Sequence, residues 1–123
     1  MVKKQKKIIE KEIIELDVAN LSLGRLAVLI SYYLQGKHRV DYKPYIDFPV
    51  FVNLKNWDKI KFTGNKLDSK YIYKHTGYWG HLKKYSFKEL WDKKPLFIIR
   101  KAISGMLPKN KLRKKRLLRI NLV

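Results

Sequence analysis

The chain has 123 residues, of which 29 are Lys or Arg and 10 are Asp or Glu, so its formal charge at pH 7 is +19. Hydrophobic residues make up 46% of it, which is enough apolar surface for one folded domain rather than a disordered basic tail. No apolar run reaches the roughly 18 residues of a membrane-spanning helix, and the lack of cysteine excludes disulfides, thiol nucleophiles and cysteine-based zinc sites. Such an excess of cations indicates a polyanionic partner, and nucleic acid fits the dispersed charges better than an anionic lipid surface does.

The amino-terminal segment is predicted to hold a basic arm followed by a strand. Residues 1–12 are rich in lysine and form the predicted arm, so the folded domain is expected to span residues 13–123. The run at residues 13–18 is short and contains β-branched residues, which is typical of a strand.

The next segment contains the clearest helical pattern in the chain. Ser22 is a predicted N-cap, and Gly36 can adopt the left-handed conformation that ends a helix. Between them the apolar positions recur at helical spacing: Leu26, Leu29, Ile30 and Tyr33. Residues 37–49 carry two prolines and no period, which predicts a long exposed loop.

The middle of the chain predicts short strands. Residues 50–54 and 59–62 are β-prone, and the second run ends at Thr63-Gly64-Asn65; residues 71–73 form a third extended piece. Strands that alternate with helices indicate a parallel sheet.

The carboxyl-terminal third predicts two helices and a last strand. Ser86 and Glu89 have capping-box spacing for a helix to about Asp92, and Pro95 opens a second helix that runs to Leu107. Residues 109–119 hold seven Lys or Arg and no acid. Residues 120–123 are expected to add a strand beside the first.

The sequence shows no pattern typical of a catalytic site or a metal site. His38, His75 and His81 match no metal-ligand spacing, and the acids are too scattered for an acid–base constellation. The Thr63-Gly64-Asn65-Lys66 segment lacks the second glycine and the Ser/Thr of a Walker loop, so it predicts a turn with a phosphate-facing lysine. We therefore predict no enzyme activity, cofactor, metal or small-molecule substrate.

Two segments fit nucleic acid instead. Residues 73–81 mix glycines, aromatic rings and cations, a combination that lets the backbone approach a polyanion while rings stack on exposed bases. Arg113-Lys114-Lys115-Arg116 lies between leucines, which predicts a short basic helix that directs its cations toward phosphate.

Six collinear blocks make the chain similar to the universal large-subunit ribosomal protein L-thirteen family, in its bacterial and organellar branch. The blocks cover nearly the whole chain: Leu16-Asp17-Val18-Ala19, Leu23-Gly24-Arg25-Leu26-Ala27, Leu34-Gln35-Gly36-Lys37-His38 leading into Asp41-Tyr42-Lys43-Pro44, then after Asn53 the run Ile60 to Lys66, His75-Thr76-Gly77 with Gly80, and Ala102 to Lys109. The resemblance implies a single α/β domain with basic extensions, built as three α/β/α layers around a four-stranded parallel sheet. It also implies a structural protein of the large subunit that binds ribosomal RNA, contacts neighbouring ribosomal proteins and supports assembly and translation.

The resemblance assigns RNA contact to basic and glycine positions of the matching blocks. They are Arg25, Lys37, His38, Lys43, Gly64, Lys66, His75, Gly77, Gly80, Lys109, Lys111, Arg113, Lys114 and Arg116. The stretch Asn110-Lys111-Leu112-Arg113-Lys114 is similar to mitochondrial members, and no histidine-containing tail follows Val123. These departures favour a mitochondrial ribosome, with a bacterial or plastid one as the alternative. A phosphate- or nucleotide-using enzyme on the same layers and a cation module for membrane surfaces are the rival hypotheses.

Overall fold

The structure is a computed structural model that describes residues 9–123, so residues 1–8 of the predicted basic arm lie outside it. In chain order the elements are β1 (Glu12–Asp17), α1 (Leu23–Leu34), β2 (Val50–Lys55), a 3-10 turn (Trp57–Lys59), α2 (Lys66–Ser69), β3 (Tyr71–His75), β4 (Leu82–Ser86), α3 (Phe87–Lys93), α4 (Pro95–Met106), α5 (Leu112–Leu117) and β5 (Ile120–Leu122). Ile9 already packs against the core, so the folded body begins before residue 13.

The main sheet is parallel and has three strands in the described residues, in the order β1-β2-β5. The prediction of four strands is wrong. Residues 59–62 contribute only a single parallel bridge, between Ser22 and Lys61. The 3-10 turn includes Lys59, and the Gly64 turn follows at once, so too few extended residues are left for a ladder.

The last strand pairs with β2, and the prediction that it lies beside β1 is wrong. In the observed register Ile14 lies opposite Val52, and Val52 lies opposite Ile120. The reason is the handedness of the crossovers. Helices α1 and α4 pack on each other, and two right-handed crossovers can place their helices on the same face only if the strands proceed in one direction across the sheet.

The core lies between this sheet and helices α1 and α4. Val50, Val52 and Leu54 of β2 are fully buried on the face that the helices cover. The alternate positions point the other way: Phe51 is half-buried, and Ile13 of β1 is 56% exposed. In the part of the chain that the structure describes, an α/β domain with a parallel sheet is therefore confirmed, and a three-layer arrangement is not.

Most helix predictions are confirmed, but neither predicted capping residue, Ser22 or Ser86, makes a side-chain capping hydrogen bond. Helix α1 ends before Gly36, whose φ of 75° is left-handed and whose added Cβ would lie 2.5 Å from the Phe48 ring. Pro95 is the first residue of α4. Ser86 precedes α3 but its side chain makes no capping hydrogen bond, so the predicted capping box is not formed.

Strands β3 and β4 form a separate antiparallel hairpin. The extended piece predicted at residues 71–73 is confirmed. The partner β4 was not predicted, because Leu82-Lys83-Lys84-Tyr85 is exposed along its whole length and shows no alternation of buried and exposed positions.

A buried arginine joins the end of the chain to the loop at residues 37–49. Arg116 is 1% exposed, and its Nη2 donates to the carbonyl of Ile46 at 3.4 Å, while its Nε lies 3.8 Å from Asp47 Oδ1. Burial lowers the pKa of Arg116, and the charge of Asp47 opposes that shift. Arg119 holds the same carboxylate through two bonds of 2.9 and 2.6 Å. Arg116 was predicted to reach phosphate, but its interior position corrects that prediction.

Replacing Asp47 with Asn should destabilise the fold strongly. The variant leaves the Arg116 charge buried without its counter-ion, a change that costs about 3 kcal/mol. Urea unfolding measures the loss. Lys55→Gln, which breaks the exposed Glu15–Lys55 pair, is the matched control and should cost below about 1 kcal/mol. Equal losses in the two variants would contradict the structural role of the buried pair.

At the carboxyl end of the sheet, a second carboxylate links separate segments of the chain. Asp17 Oδ1 accepts from the side chain of Asn56 at 3.0 Å and from the backbone N–H of Ala19 at 3.0 Å. These two hydrogen bonds lower the pKa of Asp17, the first more than the second.

Because the pKa of Asp17 is lowered, the stability that its hydrogen bonds contribute depends on pH. A carboxylate with a depressed folded-state pKa contributes stability above its unfolded pKa, and loses that contribution as pH falls through the folded pKa. We expect the carboxyl of Asp17 to titrate below the ordinary aspartate range by NMR. Asn56→Ala should raise that pKa toward the ordinary value; an unchanged titration would contradict the assigned cause.

Candidate nucleic-acid interface

A cleft of about 580 Å³ lies at the carboxyl end of the sheet, where the chain leaves β1 and enters α1. Four cationic side chains line it: Arg25, Lys61, Lys66 and Lys70. None of the described residues that line it is acidic. The cleft therefore presents uncompensated positive charge.

The local fold places these cations around the start of α1. Arg25 lies in the first turn of that helix, beside Gly24. The Ser22–Lys61 bridge fixes Lys61 next to the turn, and Gly64 with φ of 63° turns the chain so that Lys66 opens α2. The free N–H groups of the first turn add their partial positive charge to that of the side chains. The arrangement can bind phosphate groups.

The hairpin β3–β4 adjoins this cleft. Lys70 lines the cleft and immediately precedes β3, while its carbonyl accepts from the N–H of Phe87, the residue after β4, at 3.0 Å. His75 and the glycines Gly77 and Gly80 lie at the far end of the hairpin, all exposed. We call the cleft together with the hairpin the carboxyl-end surface.

The glycines of the hairpin are required by backbone conformation. Gly77 and Gly80 have φ of 90° and 71°, and an added Cβ would meet no atom within 4 Å at either. The N–H of Gly77 donates to His75 Nδ1 at 2.9 Å, which orders the tip. Residues 73–81 thus form the end of β3 and the turn that leads into β4.

The remaining predicted residues lie at the opposite end of the sheet, which we call the amino-end surface. It comprises the loop at residues 37–49 and the basic element at residues 109–119. Its cations are exposed or half-buried: Lys37, Lys43, Lys109, Lys111, Arg113 and Lys114. Asn110 Oδ1 accepts from the N–H of Leu112, the first residue of the short helix α5. The predicted basic helix is present, although Arg116 points inward.

His38 has a partner within the fold. Its Nε2 lies 3.0 Å from Glu12 Oε1, and Arg39 binds the other oxygen of the same carboxylate at 3.2 Å. Asp41 and Glu12 together raise the pKa of Arg39. This cluster ties the loop to the start of β1, so His38 is a structural contact as well as a predicted RNA contact.

Sequence reasoning missed Lys61 and Lys70. Both flank predicted features, since Lys61 lies just before the Thr63-Gly64 turn and Lys70 just before the predicted strand at residues 71–73. Only the fold shows that they face one cleft with Arg25 and Lys66.

The described residues contain neither a metal-binding cluster nor a membrane-spanning helix. Across residues 9–123 no three His, Asp or Glu side chains gather closely enough to hold a metal ion. Within that range, too, no helix has the length and apolar character of a membrane span.

Comparisons with known proteins identify the family. The family model for Ribosomal protein L13 matches residues 11–123. The chain is 47% identical over 104 residues to the large ribosomal subunit protein uL13 of Clostridioides difficile, which covers 85% of this chain and 73% of the relative. It is 46% identical over 96 residues to uL13 of Alkalilimnicola ehrlichii, an alignment that covers 78% of this chain and 68% of the relative. It is also 48% identical over 104 residues to uL13 of Desulfotalea psychrophila, an alignment that covers 85% of this chain and 73% of the relative. These relatives are bacterial and give no support to a mitochondrial source. The chain belongs to the Ribosomal protein L13 family.

Proposed function

We propose that this chain is a structural component of the large ribosomal subunit that binds ribosomal RNA and supports subunit assembly and translation. Family membership carries the proposal, since the model match spans nearly the whole chain and the relatives named above are large-subunit proteins. The net charge of +19 supports it, because a ribosome surrounds its proteins with phosphate.

The carboxyl-end surface is the first proposed RNA contact. Arg25 and Lys66, two of the residues expected to meet RNA, lie in one cleft with Lys61 and Lys70. Four cations in a cleft whose lining holds no acid can neutralise phosphates and release counterions when RNA enters. Gly64, His75, Gly77 and Gly80 shape the turns that border this cleft and end the hairpin.

The amino-end surface is the second proposed contact. Lys37, Lys43, Lys109, Lys111, Arg113 and Lys114 are the cations proposed to reach RNA there, and His38 is proposed to do so from its place beside Glu12. Arg116 is left out of the set because its side chain is buried. The two surfaces lie at opposite ends of the sheet, so the domain is suited to hold two RNA segments apart. Neighbouring large-subunit proteins are proposed partners for the remaining surface.

An enzymatic role has no support. The rival hypothesis began from the Thr63-Gly64 turn, but the cleft beside it holds cations and no acid–base pair. The bacterial relatives favour a ribosome of bacterial type over the mitochondrial one expected from residues 110–114.

The proposal predicts that the protein travels with the large subunit. After sucrose-gradient sedimentation of lysate from the source cells at moderate salt, an antibody against the chain should find it in the large-subunit and whole-ribosome fractions. Concentrated salt should release it, because neutralising about 6 to 10 phosphates makes affinity fall by about 10³- to 10⁵-fold between 50 and 200 mM salt. Recovery only in the light fractions at moderate salt would contradict the function.

We expect RNA affinity to depend on where a positive charge is removed, and not only on how many charges are removed. Lys61→Gln with Lys66→Gln should weaken binding to purified large-subunit RNA and lower the slope of log affinity against log salt by about 1.5, since each lost phosphate contact contributes about 0.7 to 0.9. Lys55→Gln with Lys93→Gln removes the same charge outside the cleft and should change the slope much less. Filter binding across a salt series measures both. Equal slopes in the two variants would show that only net charge matters.

A further inference from the structure

The hairpin stands apart from the core. Every residue from Tyr73 to Tyr85 is exposed, and the two strands hydrogen-bond to each other rather than to the main sheet. An isolated two-stranded sheet is marginally stable in water. A partner that covers such a projecting ribbon adds to its stability.

The hairpin carries cations and no acid. Lys74 lies directly opposite Lys83 in the register, and Tyr73 lies opposite Lys84. Like charges at directly opposed positions destabilise a sheet, so an anion placed between Lys74 and Lys83 relieves repulsion. This charge pattern selects a polyanion as the occupant.

Aromatic rings dominate the exposed apolar surface of the hairpin. Trp79 at the tip is 99% exposed, and Tyr78 beside it is 74% exposed. Tryptophan is seldom so exposed in a folded protein, and flat rings among cations form the platforms on which unpaired bases stack. A paired helix offers its phosphates to lysines but keeps its bases stacked on each other, so a free ring at the tip suits an unpaired nucleotide.

Contacts within the chain shape the tip of the hairpin. The Gly77 N–H donates to His75 Nδ1, the His81 N–H donates to the carbonyl of Tyr78 at 3.3 Å, and the Tyr78 and His81 rings meet edge to face at 6.3 Å. These contacts hold the turn around Trp79. Little conformational entropy is then lost when a base stacks on the exposed ring.

We infer that the hairpin is a base-stacking arm, in which Trp79 holds an unpaired RNA nucleotide while Lys74 and Lys83 bind its flanking phosphate. The inference rests on the proposed function, because it takes RNA as the partner. It adds a base-dependent contact to the phosphate binding of the cleft.

The test compares two RNA probes of equal charge with the full chain. One is a single strand of about 12 adenosine nucleotides, a length that single-strand binding surfaces cover, and the other is the same strand without bases. The wild-type chain should bind the adenosine strand about tenfold more tightly, the effect of one stacked base. Trp79→Ala should remove most of that difference and leave binding to the strand without bases unchanged. Trp79→Phe should keep most of the difference, since a ring remains.

Phe97→Ala, which removes a half-exposed ring from α4, is the matched control and should preserve the difference. The inference is overturned if wild type does not discriminate between the strands, if Trp79→Ala still discriminates, or if that variant weakens both strands equally. Trp79-dependent binding to phosphatidylserine vesicles or to polyglutamate that exceeds binding to RNA would also overturn it. Those outcomes leave large-subunit sedimentation intact, whereas failure to bind either strand together with absence from the subunit would remove the proposed function as well.

Discussion

Scarcity of carboxylates is the constraint on which the rest of this structure depends. Ten acids face 29 Lys and Arg residues, so a stable fold must place its few acids where they join segments. Glu12 binds His38 and Arg39, and Asp47 binds Arg116 and Arg119. Both carboxylates hold the loop at residues 37–49 against the ends of strands. Because these acids are used inside the fold, they cannot neutralise the cations of the cleft or the hairpin. The same arrangement that stabilises the domain leaves it attractive to phosphate.

The sequence predicts an element of this fold well where its apolar residues recur at a regular spacing, and poorly where they do not. Helix α1 follows directly from apolar residues at helical spacing, and Gly36 ends it as expected. Strand order is a property of crossover handedness and helix packing, which no single segment encodes, so the partner of β5 was predicted wrongly. Strand β4 is exposed on both faces and has no pattern that separates it from a loop. A strand sequence at residues 59–62 was visible, but a turn on each side reduced it to one bridge.

The candidate site, too, could be predicted only in part from the sequence. Family motifs identified Arg25 and Lys66, but only folding brings them into one cleft with Lys61 and Lys70. A run of cations identified the basic helix α5 without telling which of its members faces inward. Arg116 does so because its long aliphatic stem can pack in the core while Asp47 and the carbonyl of Ile46 meet its charged end. A charge run in the sequence thus contains both exposed cations, which are proposed to bind phosphate, and a buried arginine that forms a structural ion pair.

The two parts of the carboxyl-end surface differ in what they can distinguish. Cations in a cleft attract any phosphate chain, and their contribution falls with salt, so the cleft gives affinity without reading a base. An exposed indole has no charge to be screened, and it responds to whether a base is free to stack. Lys70 lies in the cleft wall and immediately before β3, so the cleft and the hairpin form one continuous surface. In the proposed arrangement the cleft binds phosphates, and the exposed ring at the tip selects a segment whose nucleotide is unpaired. Shape-guided recognition of this kind needs no base-specific hydrogen bond.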